Sequence, residues 1–222
     1  MTKGASLEIQ GPGKLDVDAG MIGLIFYEDY HRAIFIPEGT DANVEINGEV
    51  EIVDAVISEK YGYGGVIAAY SGTVNLNGKV KISVSLNGEL ENQFSAEAIY
   101  VGEGAKVNID GANFEGYRGK RASIAYVEPD GEFTFRNGSV SKYSVYGGHN
   151  YAFYGAGAGR DDKKSSMITL ENIKFEKSKK LGIQYVIYVG LYGTLKTKNL
   201  EFNGDFPEHY YNATSTSVVI EE

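Results

Sequence analysis

Along this chain, apolar and polar residues alternate in short runs of period two, rich in Val, Ile, Tyr and Phe. Examples are Val44-Glu-Ile-Asn-Gly48, Val74-Asn-Leu-Asn-Gly78, Val107-Asn-Ile-Asp-Gly111, Phe133-Thr-Phe-Arg-Asn-Gly138 and Leu195-Lys-Thr-Lys-Asn-Leu-Glu-Phe202. Such alternation predicts strands with one buried side. No stretch keeps apolar residues at i, i+3, i+4 and i+7 over a dozen positions behind a cap, so no helix is expected.

Each run follows a second apolar run across a Gly-containing turn. The preceding partners are Ala33-Ile-Phe-Ile36, Ile67-Ala-Ala-Tyr70, Ala98-Ile-Tyr-Val101, Ile124-Ala-Tyr-Val127, Tyr151-Ala-Phe-Tyr154 and Val186-Ile-Tyr-Val189. Their aromatic anchors, Phe35, Tyr70, Tyr100, Tyr126, Tyr154 and Tyr188, are separated by 35, 30, 26, 28 and 34 residues. A unit of strand, turn and strand cannot bury its apolar side alone, so recurrence at this spacing implies stacking of unit on unit. The expected fold is all-β: a right-handed parallel β-helix of about six to seven rungs, with roughly 30 residues per rung. Two inward columns are expected, one of Ile99, Ile124, Ala152 and Ile187, the other of Val107, Phe133, Ile168 and Leu195. Length variation should collect at one corner, after the second strand.

Corners need a residue that reaches positive φ, which Gly does freely and Asn tolerates. Asn47-Gly, Asn77-Gly, Asn87-Gly, Asp110-Gly and Asn137-Gly suit that role. Asn-Gly is equally a two-residue hairpin turn, so a meandering sandwich or barrel is the competing architecture. That alternative accounts for the turns but not for the recurring Ile-x-Tyr-Val anchor.

The tandem pattern Ala/Val-Ile-Tyr-Val-Gly-x-Gly-x-Val-x-Ile-x-Gly in these segments resembles the degenerate β-helix rungs of Gram-negative type V autotransporter passengers. The resemblance spans roughly residues 20–205. It implies a secreted or outer-membrane-tethered adhesin, displayed at the cell surface, or a vacuolating-type toxin, and names no receptor. No alternating strands of about ten residues remain after residue 205, so the membrane barrel of such proteins is missing. The expectation is therefore a single β-helix segment over residues 1–222, an internal piece of a longer passenger, with residues 206–222 as a partial terminal rung. Uncapped rungs would associate end to end.

Composition narrows the partners. The net charge of −9, with 30 acidic against 21 basic residues, lacks the clustered basic face of a nucleic-acid binder. The expected partner is a host or bacterial cell-surface protein or glycan. No apolar run approaches the roughly 18 residues that cross a bilayer, and Met1-Thr-Lys-Gly-Ala-Ser6 has no hydrophobic signal core. The chain contains no Cys, which removes thiolate chemistry and Cys-ligated metal.

Catalysis finds little support. Asp161 and Asp162 beside Arg160, near His149, suggest the carboxylates of a polysaccharide lyase or glycoside hydrolase. Adjacent residues of a strand point to opposite sides, however, and Asp161-Asp-Lys-Lys164 also reads as a solvated tip. The three histidines, His31, His149 and His209, form no metal-ligand spacing. No catalytic residue, metal or cofactor is therefore assigned. The 17 tyrosines are the conspicuous surplus. They suit either half-buried sheet positions or a strip that stacks on sugars or fills protein pockets. The ligand-binding candidates are Tyr61, Tyr63, Tyr143, Tyr146, His149, Tyr151 and Arg160.

Overall fold

The structure is a computed structural model. It describes residues 6–10, 13–17, 32–40, 42–48, 50–54, 65–84, 97–115, 118–120, 123–141, 144–146, 151–157, 164–176, 185–204, 208–212 and 215–222. Among these residues every regular element is a strand, and every strand-to-strand ladder runs parallel. The chain is a parallel β-solenoid with three faces.

The first face stacks Arg32–Ile36, Gly65–Ala69, Glu97–Val101, Ser123–Val127, Phe153–Gly155, Tyr185–Val189 and Glu208–Asn212. The second stacks Ser6–Gln10, Asn43–Asn47, Thr73–Asn77, Lys106–Asp110, the leading halves of Glu132–Ser141 and Met167–Glu176, then Thr194–Lys198 and Val218–Glu221. The third stacks Gly13–Val17, Val50–Asp54, Val80–Val84, Asn113–Glu115, the trailing halves of the same two long strands, and Glu201–Asn203. A short pair, Arg118–Lys120 with Ser144–Tyr146, lies beside these faces in the sequence order. The sequence repeat implies two strands per coil, and the structure adds a third. Two members of the third face, Asn113–Glu115 and Glu201–Asn203, have only three residues each, too short for a period-two signal, whereas Val80–Val84 does alternate.

Register decides what meets what inside. The second face carries Leu7, Val44, Val74, Val107, Phe133, Ile168, Leu195 and Val219 in one column. This contains the expected series from Val107 to Leu195. The first-face column, however, is Ile34, Ile67, Ile99, Ala125, Phe153 and Ile187. Ile124 and Ala152, expected in it, sit one residue off. A one-residue slip turns a side chain to the other side of the sheet, and Ile-Ala-Tyr and Ala-Phe-Tyr offer no local cue for choosing between adjacent apolar residues. In the third face the backbone register aligns Leu15, Ile52, Ile82, Phe114, Val140, Phe175 and Phe202, and of these Phe114, Val140 and Phe175 are buried in the core.

The columns fill one continuous core. Where the first face contributes only Ala125, the same coil supplies Phe133 and Phe135, both fully buried. Phe153 lies above them with ring centroids 5.8 Å and 6.3 Å away, so large residues in one column offset small ones in another.

The corner between second and third faces shows how sequence sets the turn. In the early coils Gly48, Gly78 and Gly111 take positive φ, each after an Asx residue. A Cβ on Gly111 would run into the Gly78 carbonyl oxygen below it, so in that coil the position admits only Gly. In later coils Asn137, Asn172 and Asn199 themselves take the left-handed position, at φ 52°, 55° and 51°. Their amides form a ladder: Asn137 donates to Asp110 (2.8 Å), Asn172 to Asn137 (2.8 Å) and Asn199 to Asn172 (2.9 Å). Asn172-Ile and Asn199-Leu lack a following Gly, which is why the Asn-Gly motif does not find them. Asn87-Gly88 lies outside the described residues.

The long intervals between strands fall chiefly after the third face, as from Asp54 to Gly65 and from Val84 to Glu97. The interval from Gly155 to Met167 is an exception, at the corner between first and second faces.

Replacing Phe135 by Ala should cost about 3–5 kcal/mol, because the ring is fully buried and the coil has no slack to close the cavity. Guanidinium unfolding checks this. At the corner, Asn172→Ala should cost about 1–3 kcal/mol, from the left-handed backbone together with the lost ladder bonds. Asn172→Gly should cost less, since it keeps the backbone free while still breaking the ladder; equal losses from the two variants would remove the role given to φ.

Candidate functional site

The first face presents one side chain per coil on its outer side, between two inward residues. In Ala98-Ile-Tyr-Val101, Ile99 and Val101 are fully buried and Tyr100 is half-buried, as strand alternation requires. Parallel in-register pairing brings Tyr100 beside Tyr126, Tyr126 beside Tyr154, Tyr154 beside Tyr188 and Tyr188 beside Tyr211.

The rings stack. Centroids are 5.9 Å apart for Tyr100–Tyr126, 5.0 Å for Tyr126–Tyr154 and 4.5 Å for Tyr154–Tyr188, with interplanar angles of 4°, 8° and 3°. Each such contact contributes roughly 0.5–1.5 kcal/mol beyond its buried area. At the other end the register position below Tyr100 is Ala68, which pairs in turn with Phe35. Tyr70 is thus not in register, contrary to the anchor series. It follows the strand that ends at Ala69, and its ring fills the space over Ala68. It lies 6.0 Å from Phe35 and 4.8 Å from Tyr100. The result is a ladder of six rings from Phe35 to Tyr188.

Electrostatics hold the phenols neutral. The Tyr100 hydroxyl donates to the Glu128 carboxylate at 3.1 Å. Burial, then the Glu128 charge, push the Tyr100 phenol well above its ordinary value. Burial, with Glu128 next, does the same at Tyr126. At Tyr154, burial and then Tyr188 raise it to about 12. Tyr210, which follows Ile187 in the inward column, is raised by burial and by its hydrogen bond to Glu221.

The residues two places before the tyrosines, Ala98, Ile124, Ala152 and Val186, point outward by alternation yet are buried. The ladder therefore runs along the rim of an apolar strip that is itself covered. Tyr151 belongs to this cover: it is 8% exposed, with its ring 5.7 Å from Tyr154 and 4.8 Å from Tyr188. It packs on the ladder rather than standing open in a loop. Tyr146 ends the strand Ser144–Tyr146, paired with Lys120. Tyr61, Tyr63, Tyr143, His149 and Arg160 lie outside the described residues, as do Asp161 and Asp162. Next to that pair, Lys164 forms an ion pair with Glu103 of an earlier coil.

The geometry limits what the tyrosines offer. Because the rings lie face to face, a ligand arriving from the side meets ring edges and hydroxyls rather than open ring faces. The faces that Tyr100, Tyr126, Tyr154 and Tyr188 turn to one another are taken up by stacking and are not open to a sugar. Among the described residues no three of His, Cys, Asp and Glu converge where they could hold a metal ion, and no helix is long and apolar enough to cross a membrane. Compared with protein-family profiles, curated proteins and solved structures, the chain matches none.

The ladder makes the protein alkali-sensitive. Phenol pKa values raised above the ordinary 10 mean that the folded state holds its protons more tightly than the unfolded chain. The stability involved is fully present below pH 10 and is lost as pH rises towards 12 and beyond. Spectrophotometric titration should show a group of tyrosines ionising late, with the guanidinium midpoint falling over the same range; a single transition near pH 10 in the native protein would contradict it.

Proposed function

We propose that this chain is a non-catalytic segment of a surface-displayed stalk of the autotransporter-passenger kind, acting in adhesion or in contact with host or neighbouring cells. The observation that supports this reading is the stacking itself. Each coil is bound to the next through three parallel ladders, and each adds about 4.8 Å of length. Such an array extends without limit on coil number and can hold a binding segment away from its anchor. Its second face carries polar and paired charged residues outward, including Lys106 with Glu132 and Arg136 with Glu171. Those charges suit a rod that stays in water. Specificity resides in the long intervals after the third face, and the partner is a cell-surface protein or glycan. Its place is the cell surface, tethered to an outer membrane through a part of the protein beyond this segment.

The test uses the purified chain on immobilised glycans and on intact epithelial or bacterial cells, with acidic polysaccharides assayed in parallel. Saturable binding without sugar release is the expected result. Release of reducing or unsaturated sugars would replace the stalk by a polysaccharide lyase or hydrolase, and vacuolation of treated cells would replace it by a toxin.

A further inference from the structure

Asn-Gly recurs at the corners between the second and third faces, as Asn47-Gly48, Asn77-Gly78 and Asn137-Gly138. This dipeptide has a chemistry of its own. Glycine has no side chain to shield its backbone nitrogen, so that nitrogen attacks the side-chain carbonyl carbon of the asparagine before it. A nitrogen–carbon bond forms, the amide carbon–nitrogen bond breaks, and ammonia leaves with the proton of the glycine nitrogen. Water then opens the resulting succinimide at either carbonyl carbon, giving aspartate or isoaspartate.

Closure of that ring needs a free glycine nitrogen and a side chain able to swing onto it. The stack restricts both. Gly48 N donates to the Asn77 carbonyl and Gly78 N to the Asp110 carbonyl, each at 2.9 Å. The Asn77 amide donates to Asn47 Oδ1 at 3.0 Å and also to the Glu45 carboxylate. Asn137 is held between two neighbours at 2.8 Å each, donating to Asp110 and accepting from Asn172. Every one of these bonds joins one coil to the next, so ring closure waits on the separation of coils.

The product has a different consequence at each corner. Deamidation turns an amide that donates and accepts into a carboxylate that only accepts. At Asn77 this removes the donor to Glu45 and sets two carboxylates together at a half-buried position. At Asn137 the new charge faces Asp110, but at an exposed position where solvent screens it. Asn47 is the tolerant site, because its Oδ1 accepts from Asn77 and a carboxylate there still accepts. Isoaspartate also adds a carbon to the main chain, and the corner is tight: a Cβ on Gly78 would come 2.7 Å from the Gly48 carbonyl oxygen.

We propose that these Asn-Gly corners are spontaneous deamidation sites gated by the stack, with Asn77 the decisive one. Closed coils keep it intact, and its conversion in an opened chain keeps the coils from closing again. Asn172-Ile173 and Asn199-Leu200 occupy the same ladder with a bulky residue after the asparagine, and serve as internal controls.

The test incubates the native protein in mildly alkaline buffer, and a second sample in guanidinium, with peptides mapped by mass spectrometry over time. In guanidinium Asn47, Asn77 and Asn137 should convert well ahead of Asn172 and Asn199. In the native protein all three should convert at least about tenfold more slowly than in guanidinium, since the reaction then samples only opened coils. Three variants read the consequence by guanidinium midpoint, with circular dichroism as the check on folding. Asn77→Asp should lower the midpoint most or fail to fold, Asn137→Asp should lower it less, and Asn47→Asp should stay closest to the unsubstituted protein. Conversion of Asn77 in the native protein at the guanidinium rate would overturn the gating, and equal midpoints for Asn77→Asp and Asn47→Asp would overturn the role given to Glu45.

Discussion

Parallel in-register stacking is the constraint on which everything else in this protein depends. Each residue has an equivalent one coil above and another one coil below, about 4.8 Å away. A side chain must therefore suit a copy of its own position. Aliphatic and aromatic residues do so by packing, as in the column from Val44 to Val219. Asn does so because its amide both donates and accepts, as from Asp110 through Asn199. Charges suit it less well, since like charges repel. Lys106 accordingly meets Glu132, and Arg136 meets Glu171, each exposed pair worth no more than about 1 kcal/mol but fixing the register in its favour.

The tyrosine ladder is the same rule applied to the outer side of a face. Phenols above and below one another gain stacking and lose solvent, which raises the pKa values of Tyr100, Tyr126 and Tyr154 and turns ring faces inward on the row. The surplus of tyrosine is thus accounted for within the row by coil-to-coil contact. What remains for solvent is a line of edges and hydroxyls, with Glu128 engaged at Tyr100. This also separates the ladder from the proposed adhesive role, which rests on the rod and on the intervals between its coils.

The fold was legible because its signals are local. Period-two alternation marks the strands, Gly and Asx mark the corners, and recurrence of Ile-x-Tyr-Val near every 30 residues implies stacking. The third face is less legible in the later coils because Asn113–Glu115 and Glu201–Asn203 are short, and because Glu132–Ser141 and Met167–Glu176 run through the corner without a break. At those corners Asn takes the left-handed position that Gly holds earlier, so the punctuation disappears from the sequence while the turn remains. Nothing local to Tyr151 signals that it packs on Tyr154 and Tyr188 and is buried there.

By itself the sequence determined the strand character of the described residues, the approximate repeat and the acidic charge balance, because each follows from residue type and short-range order. Only the tertiary structure decided which residue meets which. Ala68 rather than Tyr70 pairs with Tyr100, and Ala125 and Phe153 rather than Ile124 and Ala152 join the inward column. Two adjacent apolar residues look alike in one dimension, yet a shift of one position sends them to opposite sides of a sheet. That choice is made by the volume and register of the coils above and below, a property of the stack and not of any single repeat.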